Sequence, residues 1–256
     1  MQIVLVDDRR QMGSYVASQA AGILRTCLSQ KDSVNLVVAT GSSQFEVLSQ
    51  LVVQPDIDWS RVNGFHLDEY LGLERNHPAS FCGYLQQRFV RNVPIGSFFF
   101  LDGAISPEIL RQNANEKLLN RQIDLMLCGI GENGHLAFND PPADFLSDSP
   151  YLVVQLDEAC RRQQVGEGWF EGIESVPKQA ISMSIRQIMK ADAILCSVPD
   201  SRKAEAVKNA VEGPVTPLVP ASILQQHPNV CLILDVASSS HLSEETLSKC
   251  QRLPIE

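Results

Sequence analysis

The chain has 256 residues, 44% hydrophobic and 20% charged, enough to bury a full core as one large α/β domain over 1–256. A formal net charge of −9, with no Lys/Arg-rich run and no basic–aromatic interleaving, argues against a nucleic-acid partner. Seven cysteines without a C-x-x-C pair fit ordinary thiols in a reducing compartment, and no apolar run approaches membrane-spanning length, so a cytoplasmic protein without zinc or membrane contact is expected.

In chain order, strand-like apolar runs fall at 2–6, 35–39, 61–67, 97–101, 123–128, 151–156, 193–198 and 230–234. Helical periodicity occupies 11–28, 43–53, 80–89, 107–119, 201–211 and 221–226. This alternation predicts a single-domain α/β fold: a mainly parallel, modified Rossmann-like sheet with helices on both faces and a site at the carboxyl ends of the strands. Residues 157–180 break the rhythm, being polar, glycine-bearing and charged, and read as an active-site flap. No repeat, low-complexity tract or linker interrupts the chain.

Chemistry clusters after the strands. Past 35–39, Gly41, Ser42 and Ser43 precede a helical pattern and offer free amides, hydroxyls and a positive helix end to an anion. Past 61–67 come Asp68 and Glu69; adjacent residues on extended backbone face opposite ways, so only one of the two can line a pocket and serve as a general base. Past 123–128 comes Gly129-Ile-Gly-Glu-Asn-Gly-His135, which delivers a histidine to a strand end with Asn133 and Asp140 close in sequence. The same stretch fits G-x-G-x-x-G, yet a dinucleotide site needs a helix after the last glycine, and Pro141 and Pro142 stop one. Lys203 sits early in a predicted helix, a poor place for a cation unless an anion binds there.

These segments resemble the glucosamine-6-phosphate deaminase (isomerase) family, which shares its fold with the 6-phosphogluconolactonases. The resemblance rests on Ala39-Thr-Gly-Ser-Ser43, Phe65-His-Leu-Asp-Glu-Tyr-Leu-Gly72, Leu101-Asp-Gly103, Gly129-Ile-Gly-Glu-Asn-Gly-His-Leu-Ala-Phe-Asn-Asp-Pro141, Ser201-Arg-Lys203 and Val211-Glu-Gly213. Phe138-Asn-Asp-Pro141 departs from the lactonase pattern and favours the deaminase branch.

The resemblance implies catalysis without metal or cofactor on a small-molecule sugar phosphate. His135 would open the sugar ring, oriented by Asp140 and Asn133, and Asp68 would move a proton between C2 and C1. Gly41, Ser42, Ser43 and Lys203 would hold the phosphate, with Arg161 or Arg162 of the 157–180 segment completing the clamp. Asn133 stands where the family usually has aspartate, and Asp140 where it has the longer glutamate, which opens galactosamine 6-phosphate as a substrate. The basic cluster of allosteric members is absent. A lactonase and a non-catalytic sugar-phosphate sensor are the alternatives, and a homo-oligomer is compatible with the sequence.

Overall fold

Asp8 accepts the Gln11 amide and starts the first helix, α1 (Arg9–Gln30), which buries the i, i+4 stripe Met12, Val16, Ala20, Leu24 and Leu28. The computed structural model describes residues 1–254, so the last two residues of the expected 1–256 domain lie outside the described residues. In chain order, α1 is preceded by β1 (Gln2–Val6) and followed by β2 (Val34–Val38), α2 (Phe45–Leu51), β3 (Val62–His66), β4 (Asp68–Tyr70), α3 (Phe81–Arg88), β5 (Ser97–Phe99) and α4 (Pro107–Leu118). The second half runs β6 (Leu125–Cys128), β7 (Tyr151–Gln155), α5 (Glu158–Gly166), β8 (Gln179–Met183), α6 (Ile185–Ile188) and β9 (Ile194–Val198). It ends with α7 (Ala204–Glu212), β10 (Val230–Asp235), α8 (Glu244–Ser248) and β11 (Gln251–Arg252).

Eight strands form one sheet in the order β11-β1-β10-β9-β6-β2-β3-β5, and every paired neighbour in it is parallel. Alternation along each strand feeds two cores. Val37, Leu232 and Leu234 pack on one face with Leu110 and Leu118 of α4, while Leu36, Val38 and Ile233 pack on the other with α1 and α2. Both faces are dry, which is why these strands read as continuous apolar runs. No helix among the described residues is long and apolar enough to cross a membrane.

Two expectations differ from the structure. The run at 151–156 does not join the main sheet; its residues 151–155 form β7, which pairs antiparallel with β8, and β8 pairs with β4 in a separate three-stranded sheet. Tyr151 is buried but the next three residues are half-exposed, the signature of a strand covered on one side. The segment 221–226 is a 3-10 helix, Pro220–Gln226, instead of an α-helix.

The small sheet carries an aromatic core of Tyr70, Phe81, Phe138 and Phe170. Tyr70 contacts the three phenylalanine rings at centroid distances of 4.9, 5.0 and 5.3 Å. Residues 157–180 therefore close over a packed cluster. Beside it, the buried Glu69 carboxylate accepts hydrogen bonds from the Tyr70, Phe81 and Cys82 amides at 2.9, 3.1 and 2.7 Å and from the Ser80 hydroxyl at 3.0 Å. It thereby caps the amino end of α3 and ties it to β4. Burial pushes the Glu69 pKa up, and these donors pull it back only in part. Glu69→Ala strands three amides and should cost about 3 kcal/mol, read as a lower urea midpoint at unchanged slope.

Candidate active site

The chain lays β2, β3 and β5 outward in one direction, then returns to place β6 on the other side of β2 and continues through β9 and β10. Ligands bind at such reversals, in the crevice past the strand ends. The loops after β2 and β6 meet there so closely that a Cβ on Gly129 would lie 2.9 Å from the Ser43 hydroxyl oxygen. Gln44, fully buried, staples the crevice: its amide nitrogen donates to the Cys128 carbonyl at 3.1 Å and the Ser197 hydroxyl at 2.8 Å, joining the ends of β2, β6 and β9.

A cavity of about 720 Å³, open mouth included, occupies this crevice. Its lining includes Gly41, Ser42, Ser43, Asp68, His135 and, from the 157–180 segment, Gln163, Gln164 and Glu167. Arg202 and Lys203 complete it. Among the residues singled out in the sequence, Asn133 and Asp140 stand behind the histidine. Arg161 and Arg162 do not line the cavity.

The loop 129–142 builds the histidine's support. Gly134, at φ +84°, turns the chain so that its amide reaches the Gly131 carbonyl at 3.0 Å, and the Gly131 amide reaches the His135 carbonyl at 3.0 Å. The ring lies flat against Gly131, where a Cβ would come within 2.3 Å of Nε2. No helix follows Gly134, so the dinucleotide fingerprint has no amide array to hold a pyrophosphate. The His135 Nδ1 atom stands 3.1 Å from Asp140 Oδ1, a close contact set off the line of an ideal hydrogen bond.

Asn133 does not touch the imidazole. Its Oδ1 accepts the His135 backbone amide at 3.1 Å, and its Nδ2 donates to Asp140 at 3.0 Å and to Asp157 at 3.2 Å. The amide thus holds apart two carboxylates that a third would crowd. Burial pushes the Asp140 pKa up, but His135, Asn133 and the Asp157 amide override it and leave the carboxyl below its ordinary range.

Asp68 and Glu69 face opposite ways, as extended backbone requires: Asp68 lines the cavity and Glu69 caps α3. Burial, reinforced by the Glu69 charge, holds the Asp68 carboxyl well above the usual carboxylate range. His66, also buried, has a different task. Its Nε2 accepts the Leu101 amide at 2.7 Å, and burial pushes its pKa down to about 3, so it stays a neutral part of the core.

The two arginines expected to complete an anion clamp are engaged elsewhere. The Arg161 guanidinium donates to the Ile173 and Val176 carbonyls and fastens the far side of the 157–180 segment; exposed Arg162 pairs with Glu158 one helical turn away. On α5, Gln163 and Glu167 share the cavity-facing stripe one turn apart, and the arginines lie off it. The cavity's guanidinium is Arg202, next to Lys203. Both are set by the turn at Asp200, whose carboxylate accepts the Arg202 amide at 3.1 Å and pairs with its guanidinium at 3.0 Å.

One donor set could in principle attract a metal. His135, Asp140 and Cys160 offer ligand atoms within 4.8 Å of one another. Burial, with Asp140 and Asp157 adding to it, pushes the Cys160 thiol far above its usual range, which opposes a thiolate ligand.

Asn133→Asp should place a third carboxylate against Asp140 and Asp157. At least one acid of the three is then raised on folding, so the variant should lose about 2 kcal/mol at neutral pH and regain it as pH falls toward the carboxylate range. Thermal midpoints at acidic and neutral pH check this.

A family model for glucosamine-6-phosphate isomerases and 6-phosphogluconolactonase matches residues 7–232. A curated glucosamine-6-phosphate deaminase from Lactobacillus delbrueckii subsp. bulgaricus is 38% identical over 245 residues, covering 94% of this chain and 100% of the relative. One from Streptococcus pneumoniae is 35% identical, covering 95% and 100%. Among solved structures, one described as a monomeric glucosamine-6-phosphate deaminase superposes with TM-score 0.85 at 29% identity, covering 94% of this chain and all of that one. A 6-phosphogluconolactonase from Shewanella baltica shares the fold, with TM-score 0.77 at 19% identity over 92% and 98% of the two chains. With its parallel sheet, its crevice at the β2/β6 reversal and these relatives, the chain belongs to the glucosamine-6-phosphate isomerase/6-phosphogluconolactonase family.

Proposed function

We propose that this protein is a glucosamine-6-phosphate deaminase, converting the amino sugar phosphate and water to fructose 6-phosphate and ammonia. The observation that carries the reading is that Asp68, a buried acid with a strongly raised pKa, lines the same cavity as His135 and the Gly41, Ser42, Ser43 and Lys203 corner. A lactonase needs a histidine and an anion seat but no carbon base. The curated relatives at 35–38% identity bear the deaminase name.

His135 moves the proton from the anomeric hydroxyl to the ring oxygen, breaking the ring C–O bond, while Asp140 stabilises the imidazolium that forms in between. Asp68 then takes the C2 proton, giving an enolamine, and returns a proton to C1. Water adds to the resulting ketimine at C2, and ammonia leaves. A carboxylate of raised pKa is a stronger base toward carbon once ionised. Gly41, Ser42, Ser43, Lys203 and Arg202 receive the phosphate, and residues 157–180 act as the flap that screens the reaction from water. All these groups come from one chain, which we take to work in the cytoplasm, where its seven free cysteines remain reduced.

Purified protein should release ammonia from glucosamine 6-phosphate faster than from the galactosamine or mannosamine esters. Hydrolysis of 6-phosphogluconolactone, with no ammonia released from any of the three amino sugar phosphates, would overturn the reading. Asp68→Asn should abolish turnover and keep sugar-phosphate binding. Because the base must be ionised, kcat/KM should fall as pH drops through the Asp68 pKa, with the limb above the ordinary value of about 4. Glu69→Gln, which removes the charge that helps to raise it, should move that limb down. Gly131→Ala should push the His135 ring aside, lowering kcat about a hundredfold and stability by about 1–3 kcal/mol.

A further inference from the structure

The anion corner already contains anions. The Lys203 ammonium, on a residue only 7% exposed, lies 3.7 Å from Glu167 Oε1 and 3.9 Å from Glu132 Oε1. Arg202 stands 3.3 Å from Glu132 and 3.0 Å from Asp200. Arg202 and Lys203 thus face three carboxylates, Glu132, Glu167 and Asp200, the last shared with Arg9 at 2.9 Å, so the cations of the corner are already paired.

Glu167 is the anomalous member of that set. It caps the carboxyl end of α5, where the helix field disfavours a carboxylate, and its side chain is 6% exposed. What holds it there is the cavity side: Lys203, the Gln163 amide at 2.8 Å and the Trp169 indole N–H at 3.4 Å. The next residue, Gly168, has φ +83° and open space where a Cβ would be, so the carboxylate sits at a joint in the chain. Glu132 is more exposed as a side chain, although the Oε1 atom that reaches both cations is buried and accepts no hydrogen bond.

We propose that Glu167 is the built-in counter-ion of the anion seat and a specificity-determining residue: it neutralises buried Lys203 in the empty protein, and an incoming phosphate must displace it. This rests on the reading of the Gly41, Ser42, Ser43 and Lys203 corner as the phosphate seat. A buried ammonium left alone would be costly, so the glutamate keeps the lysine in place before the ligand arrives. A singly charged ligand gives Lys203 no more than Glu167 already does. A dianion gives more, so displacement selects for phosphate over carboxylate.

The test is inorganic, and so independent of turnover. Sulfate and phosphate binding to the protein, measured by calorimetry, should tighten at least about tenfold in Glu167→Gln, because a competing charge in contact with Lys203 is removed while the one remaining oxygen still accepts the 2.8 Å bond from Gln163. Glu167→Ala should tighten it likewise, and acetate should compete better in both variants than in the parent. In a Trp59→Phe background Trp169 is the sole tryptophan, and sulfate should change its emission when Glu167 is present but not in Glu167→Gln. Unchanged or weaker sulfate and phosphate binding in both Glu167 variants would overturn the proposal. So would a raised KM for glucosamine 6-phosphate in Glu167→Gln at unchanged phosphate affinity, which would make Glu167 a partner of a sugar hydroxyl. Tighter anion binding in a protein that releases no ammonia would uphold the counter-ion and refute the deaminase reading alone.

Discussion

Everything at the site depends on the reversal of strand order between β2 and β6. Two parallel strands whose connections leave in opposite directions expose a crevice at their carboxyl ends, and no other place on the sheet brings the loops of β2, β6 and β9 together. Gln44 makes the crevice rigid. Its amide joins the three strand ends from within the core, so the Gly41, Ser42 and Ser43 turn and the Gly129–Gly131 turn are held at contact distance before any ligand binds. The cavity is thus a property of the backbone, and the side chains decide its chemistry.

Those side chains are arranged at some electrostatic cost. Asp68, Glu69, Asp140 and Glu167 are all taken out of water within one region, each with a different compensation. Glu69 is surrounded by amides and becomes structural. Asp140 is paired with His135 and Asn133 and stays ionised. Asp68 receives the least help, so burial raises its pKa. The differences among neighbours leave Asp68 as an acid held well above the usual carboxylate range.

Much of this was legible in the sequence where one physical rule dominates. The parallel strands at 123–128, 193–198 and 230–234 read clearly because both faces are buried. Alternation along extended backbone shows that only one of Asp68 and Glu69 can face the crevice, and the family resemblance picks Asp68. The failures have equally definite causes. Tyr151–Gln155 looked like another core strand because its apolar residues do not reveal which sheet they pair with, and Gln179–Met183 has a polar entry that hides the strand. Arg161 and Arg162 were proposed for the phosphate from their charge and neighbourhood, but the helix turns them away and presents Gln163 and Glu167. Gln44 carried no signal at all, since its role depends on strands more than 80 residues away in sequence. Arg202 was adjacent to a residue already singled out and could have been found with it.

Asn133 ties two neighbouring carboxylates to the backbone behind the histidine. An aspartate at this position would face Asp140 and Asp157; the amide instead donates to both and still accepts the His135 backbone. The shorter Asp140 keeps its contact with the ring at 3.1 Å.

The most direct test of the account is the fate of hydrogen during turnover. Glucosamine 6-phosphate converted by the wild-type protein in deuterated water, followed by nuclear magnetic resonance, should yield fructose 6-phosphate and ammonia in equal amounts, with solvent deuterium appearing at C1 as the Asp68 carboxyl exchanges between abstraction at C2 and return. Fructose 6-phosphate whose C1 carries only the hydrogen originally at C2, formed equally fast by Asp68→Asn, would contradict a carbon base in this crevice.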